Sequence, residues 1–148
     1  MDRVEVRDMC DLDIAKVMEI ENLCFKAPWK LEDIKVELHD NQYSVVQVIT
    51  VNDIVVGFCD YWVTFDSGTI CQIAIHPDYQ HQGLGDRLLN EVLKDAFAKK
   101  VRTLTLEVRE SNKKAINFYL KHGFKITLVK DQYYSNGENA IYMIKEVQ

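Results

Sequence analysis

Gln80-His81-Gln82-Gly83-Leu84-Gly85 is the stretch that decides how this chain folds. It follows an apolar run, residues 70–76, with the character of a strand. It precedes residues 84–99, whose Leu84, Leu88, Leu89, Val92, Leu93, Ala96 and Phe97 recur at helical spacing on one broad face. A strand, a glycine-bearing turn and a helix N-terminus make a site for phosphate. First-turn N–H groups have no intrahelical partners, and the helix dipole favours negative charge there. Glycines at 83 and 85 let the backbone bend sharply and approach a ligand closely.

Two phosphate motifs are set aside. A Walker loop needs Lys and Ser/Thr after its last glycine, whereas Asp86-Arg87 follow Gly85. Gly83 and Gly85 match the first two glycines of a dinucleotide fingerprint, and Glu107 lies at about the right distance for its ribose acid. Leu88, however, occupies the third glycine position, and strands in succession precede the motif where a βαβ unit would be needed. A plain tight turn before a helix is the remaining reading of the turn alone.

Outward from the turn, residues 3–9 alternate as a strand, and Asp11 or Asp13 caps a helix running to about Cys24. Its apolar positions are Ile14, Val17, Met18, Ile20, Leu23 and Cys24. Pro28 interrupts, and a short helix is expected over 31–39. Strands over 43–51, 54–63 and 68–76 follow, separated by the turn signals Asn52-Asp53 and Asp66-Ser67-Gly68. After the helix at 84 come a strand over 103–109, a helix over 112–122, and strands over 124–130 and 139–145. The order β-α-α-β-β-β-α-β-α-β-β implies an α/β (α+β) architecture, a mixed sheet of six to seven strands with helices on both faces.

A chain of 148 residues, 47% of them hydrophobic, is expected to form one domain with a real core. A net charge of −5 speaks against nucleic acid as partner, since a phosphate backbone needs a concentrated basic surface. Cys10, Cys24, Cys59 and Cys71 show neither C-x-x-C spacing nor a Cys/His cluster, so no metal is expected and nothing favours disulfides. The charged, alternating N-terminus does not read as a signal peptide, and no apolar run approaches the roughly 18 residues that cross a bilayer. A cytoplasmic protein without a membrane partner is the expectation.

Three downstream features give the turn a context. In Thr103-Leu104-Thr105-Leu106-Glu107-Val108-Arg109, alternation puts Leu104, Leu106 and Val108 on one face and Thr105 and Glu107 on the other. Glu107 thus stands near a strand's C-terminal end, where ligands gather in α/β sheets, or is simply a solvated carboxylate. Ser111-Asn112 opens the next helix, with Ser111 read as its N-cap. Tyr119, seven residues after Asn112, shares a helix face with it, as ligand-facing pair or as core.

With this constellation the chain resembles the GCN5-related N-acetyltransferase (GNAT) superfamily, and more narrowly its RimI type, which acetylates the N-terminal alanine of a small-subunit ribosomal protein. The resemblance spans essentially the whole chain. It is carried by Ala27-Pro28-Trp29, Gln72-Ile73-Ala74-Ile75-His76-Pro77, Tyr79 to Gly85, Leu106-Glu107-Val108-Arg109-Glu110-Ser111-Asn112, Ala115-Ile116-Asn117-Phe118-Tyr119 and Gly123-Phe124, in family order. Gln72 departs from the Asn common in this type, and Asp86 from the basic or small residue usual there.

The resemblance implies the GNAT fold and acetyl-CoA as donor. The backbone of Gln82, Gly83, Leu84, Gly85 and Asp86 would hold its pyrophosphate. The strand carrying Ile73, Ala74 and Ile75 would splay from that of Glu107, receive the pantetheine arm, and offer an N–H to the thioester carbonyl. Asn112 would contact the cofactor through its amide. His81, beside the phosphates, would donate a hydrogen bond or stay merely solvated. Glu107 would be the general base and Tyr119 the general acid. Trp29, Tyr133 and Tyr134 would flank the acceptor, as an aromatic floor or as core. The acceptor implied is a protein N-terminus. Lysine or a small amine such as a polyamine, and a non-catalytic acyl-CoA-binding module, stay open beside it.

Overall fold

A computed structural model describes all 148 residues. In β1 (Val4–Asp8), Val4 and Val6 are half-buried while Glu5 and Arg7 face solvent. A 3-10 turn over Asp11–Asp13 leads into α1 (Ile14–Cys24). The Arg7 guanidinium donates to both Asp13 oxygens, at 2.8 and 2.9 Å, and ties this entry to β1. α2 (Leu31–Lys35) continues as a π turn over Val36–Asp40, closed by the Asn41 N–H on the Val36 carbonyl at 2.8 Å.

The expected meander follows as β2 (Ser44–Val51), β3 (Ile54–Thr64) and β4 (Ser67–Ile75). Asn52 and Asp53 both take left-handed φ, 51° and 69°, the geometry a two-residue hairpin loop requires. Then come α3 (Leu84–Ala98), β5 (Thr103–Arg109), α4 (Lys113–Lys121), β6 (Lys125–Lys130) and β7 (Ala140–Glu146).

The seven strands form one mixed sheet in the order β1-β2-β3-β4-β5-β7-β6. Every neighbouring pair is antiparallel except β4 and β5, whose parallel pairing runs only from Ser67–Thr103 to Thr69–Thr105. Gly68 permits that pairing, since a Cβ there would come 2.5 Å from the Leu104 side chain. The strands then part. Against β3, Ile70 opposes Tyr61 and Gln72 opposes Asp60, which leaves Cys71 as an extra, bulged residue. A bulge bends its strand, and this one sits just past the last β4–β5 pair. The gap between the C-terminal halves of β4 and β5 is therefore built into the register.

Helices cover both faces, as expected. Leu88, Leu89 and Val92 of α3 and Ile116 and Tyr119 of α4 join Leu104, Leu106 and Val108 in the larger core. On the other face Val17, Ile20 and Ile34 close over Val48, Phe58 and Ala74. Two side chains depart from the apolar stripes read in the sequence. Phe97 is 57% exposed, because Val92 and Ala96 take the inward positions of α3. Leu23 is 53% exposed while Glu21, four residues after Val17 on the inward line of α1, is fully buried. No helix is long and apolar enough to cross a membrane.

Candidate active site

The glycine turn is an anion cradle in its local geometry. Gly83 is the α3 N-cap in a left-handed conformation, φ 78°, which a side chain would resist. The first bond of the helix runs from the Arg87 N–H to the Gly83 carbonyl at 3.1 Å. The N–H groups of Leu84, Gly85 and Asp86 thus lie outside the helical ladder. His81, Gly83, Leu84, Gly85 and Asp86 line a cleft of about 610 Å³, whereas Gln82 is exposed and does not line it. The Asp86 carboxylate does not confront a phosphate bare. It lies 2.8 Å from Lys121 Nζ and 2.7 Å from His122 Nε2, and these two partners hold it below the usual carboxylate range. Arg87 turns the other way, donating to the Val4 carbonyl at 3.0 Å.

One wall of the cleft is β4. The His76 N–H bonds the Val56 carbonyl of β3, so by strand alternation Ile73 and Ile75 direct their backbone groups away from β3, into the gap, while Ala74 directs its own to β3. Ile73, Ala74 and Ile75 all line the cleft. The Ile75 carbonyl is already engaged by Gln80 Nε2 at 2.9 Å and Cys24 Sγ at 3.3 Å. Ile73 and Ile75, and not Ala74, are thus placed to offer an N–H to a ligand.

The opposite wall is α4, which contributes Asn112, Phe118 and Tyr119. The cap is Asn112 and not Ser111: Asn112 Oδ1 accepts from the Ala115 N–H at 3.2 Å, while the Ser111 hydroxyl donates to Glu138. Capping uses the Asn112 oxygen and leaves its NH2 group for the cleft. Tyr119 is 7% exposed, its hydroxyl has no hydrogen-bond partner in the protein, and burial pushes its pKa up.

Glu107 is exposed and does not line this cleft; it stands on the other face of the sheet, opposite in sense to the buried Leu106 and Val108. It pairs in register with Tyr142, whose hydroxyl donates to its Oε1. Lys130 Nζ in turn donates to Tyr142 at 2.8 Å and sits 4.9 Å from the centre of the Tyr133 ring. Arg109 lies 4.0 Å from the centre of the Tyr134 ring and bridges to Glu138 at 3.2 Å. Tyr133 and Tyr134 meet edge to face at 5.2 Å. Trp29 instead packs against the smaller core. The gap between β4 and β5 is thus flanked by Tyr119 on one face and Glu107 on the other.

Sequence reading missed several residues here. Cys24 and Phe25, from the end of α1, line the cleft, as do Lys114 and Lys121 of α4. Glu21, on α1, accepts from the Trp29 N–H and from Gln72 Nε2, both at 2.8 Å. A carboxylate four residues after Val17 and three before Cys24, on an otherwise apolar stripe, was the available signal.

With this geometry in view, the chain matches the acetyltransferase (GNAT) family over residues 14–124. It belongs to the GNAT family. A Bacillus subtilis protein, provisionally named a ribosomal protein bS18-alanine N-acetyltransferase, is 37% identical to this GNAT chain over 142 residues, covering 95% of it and 94% of the relative. The Escherichia coli K12 ribosomal protein bS18-alanine N-acetyltransferase is 34% identical over 134 residues, covering 88% and 89%. The crystal structure of the ribosomal-protein-S18-alanine N-acetyltransferase from E. coli superposes with a TM-score of 0.91 at 30% identity, over 99% of this chain and 95% of that one. The RimI-type resemblance and the GNAT fold read from the sequence are borne out. The protein is an N-acetyltransferase whose donor is acetyl-CoA. The residues fit that donor: unpaired N–H groups at a helix N-terminus suit its pyrophosphate, and the backbone edge of Ile73 and Ile75 suits its extended amide arm.

Proposed function

We propose that this acetyltransferase acts on the N-terminal α-amine of a protein, with the N-terminal alanine of ribosomal protein bS18 as acceptor. The relatives that bear this activity in their names match the chain over nearly its full length, which supports the acceptor. The observation that carries the chemistry is the placement of Glu107 and Tyr119 on the two sides of one gap.

A peptide α-amine has a pKa of about 8 and is largely protonated at neutral pH, so a proton must leave before nitrogen can attack. Glu107 takes it, directly or through a water, on the open face of the sheet. Its Oε1 is held by Tyr142, which fixes the carboxylate's orientation. The amine nitrogen bonds to the thioester carbon, and the charge growing on the carbonyl oxygen meets the backbone N–H of Ile73 or Ile75. As the carbon–sulfur bond breaks, the departing thiolate takes the Tyr119 phenolic proton, and the second proton of the former ammonium leaves the nitrogen through water and restores the phenol. Each proton transfer contributes on the order of 10²–10⁴-fold. Holding amine and thioester together supplies much of the rest. None of the four cysteines is needed as a nucleophile.

The test is incubation with labelled acetyl-CoA and a panel of ribosomal N-terminal peptides, N-blocked lysine peptides and polyamines. Label is expected on the N-terminal peptides. Label confined to the ε-amine or to polyamines would replace this acceptor with lysine or a small amine. Tight acetyl-CoA binding with no transfer to any amine would leave a binding module.

A further inference from the structure

The residue the chemistry above does not use, yet which the fold treats most unusually, is Glu21. It is fully buried and forms no ion pair. Its Oε1 accepts two hydrogen bonds of 2.8 Å, from the Trp29 backbone N–H and from Gln72 Nε2, and its Oε2 is buried without a partner. Burial is the largest influence on its pKa and raises it, while the hydrogen bonds from Trp29 and Gln72 lower it.

A buried carboxyl in a core stripe is destabilising compared with an apolar side chain there. What it secures here is a junction. Trp29 belongs to the segment between α1 and α2. Gln72 belongs to β4, next to the bulge at Cys71 and one residue before the cleft-lining Ile73. Gln72 points to the α1 face, the same face as Glu107, and the two stand on the strands that border the gap. An amine reaching Glu107 and the thioester must enter across this face, between those strands.

We propose that Glu21 is a positioning residue for the acceptor: by holding Gln72 and the Trp29 segment on one oxygen, it sets the width and shape of the acceptor's entry to the β4–β5 gap. This rests on the reading of the Glu107 face as the acceptor side. Glu21 touches no reacting atom and acts through Gln72 and Trp29.

Three variants separate this from a purely structural role: Glu21→Ala, Glu21→Gln and Gln72→Ala. Each is measured for kcat, for KM toward acetyl-CoA and toward the best acceptor found for wild type, and for thermal unfolding. Glu21→Gln keeps the accepting oxygen and is expected to behave as wild type. Gln72→Ala unties the junction from the strand side, where the side chain is only half-buried. It and Glu21→Ala are expected to raise acceptor KM by roughly tenfold or more with KM for acetyl-CoA unchanged, since small misplacements of a reactant are expensive. Unchanged acceptor KM in Gln72→Ala would overturn the proposal, even if Glu21→Ala fails to fold. A loss in kcat matching lost folded protein, with both KM values intact, would overturn it too. A wrong acceptor class shows in wild type alone, whereas a wrong role for Glu21 shows only in the variants relative to wild type.

Discussion

Asp86 Oδ1 stands 2.7 Å from His122 Nε2, so the first turn of α3 is bound to the end of α4 across the mouth of the cofactor cleft. The link keeps a carboxylate occupied at the one place where a free one would repel pyrophosphate. His122→Ala removes one of the two partners of Asp86. With a net hydrogen-bond contribution of about 1 kcal/mol, KM for acetyl-CoA is expected to rise roughly fivefold. Steady-state kinetics should show kcat unchanged, because His122 touches no reacting group.

Glu107→Gln and Tyr119→Phe are each expected to lower kcat by about 10²–10⁴-fold with little change in acetyl-CoA affinity. The Tyr119 hydroxyl has no partner in the protein, so Tyr119→Phe should unfold at the temperature of wild type. Loss of activity without loss of stability would mark a chemical role, and undiminished turnover in both variants would remove the assigned acid and base.

Asp60 is 2% exposed beside Glu37, and burial first, Glu37 second, push its carboxyl up to about 9. In the unfolded chain the same group titrates near its ordinary value of 3.8. A raised folded pKa means that the stabilisation is complete below the unfolded value and is lost as pH rises toward the folded one. Wild type is therefore expected to lose stability between about pH 4 and pH 9, and Asp60→Asn to flatten that slope and to be the more stable form at pH 8. Thermal unfolding across this range checks it.

Gly68→Ala places a Cβ 2.5 Å from Leu104 at the only parallel pairing in the sheet. A loss of about 1–3 kcal/mol is expected, as for other overpacked positions. Denaturant unfolding measures it, and an unchanged midpoint would show that β4 and β5 can separate without cost.

The sequence carried the element order because its strongest signals are local. Leu104, Leu106 and Val108 alternate, and Leu84, Leu88 and Val92 repeat every helical turn, so each strand and helix was legible to within a residue or two at its ends. What escaped was decided over long range. Ser111 and Asn112 are both good caps; a contact with Glu138, from a distant hairpin, removes Ser111 from the choice. The fate of Asp86 depends on His122, far along the chain. Local patterning likewise favours Leu23 over Glu21 for the core, and the hydrogen bonds from Trp29 and Gln72 reverse it. Of the candidate site, the turn and Tyr119 were visible as motif and helix face. The bulge at Cys71 that opens the gap has no sequence signature of its own.

Transfer to an α-amine, as against an ε-amine, can be read from a single peptide. A peptide beginning with alanine and carrying an internal lysine offers both kinds of amine to the same enzyme. After incubation with acetyl-CoA, fragment mass spectrometry locates the acetyl group. Acetylation of the alanine nitrogen with the lysine untouched is the expected result, and acetylation of the lysine alone would contradict it.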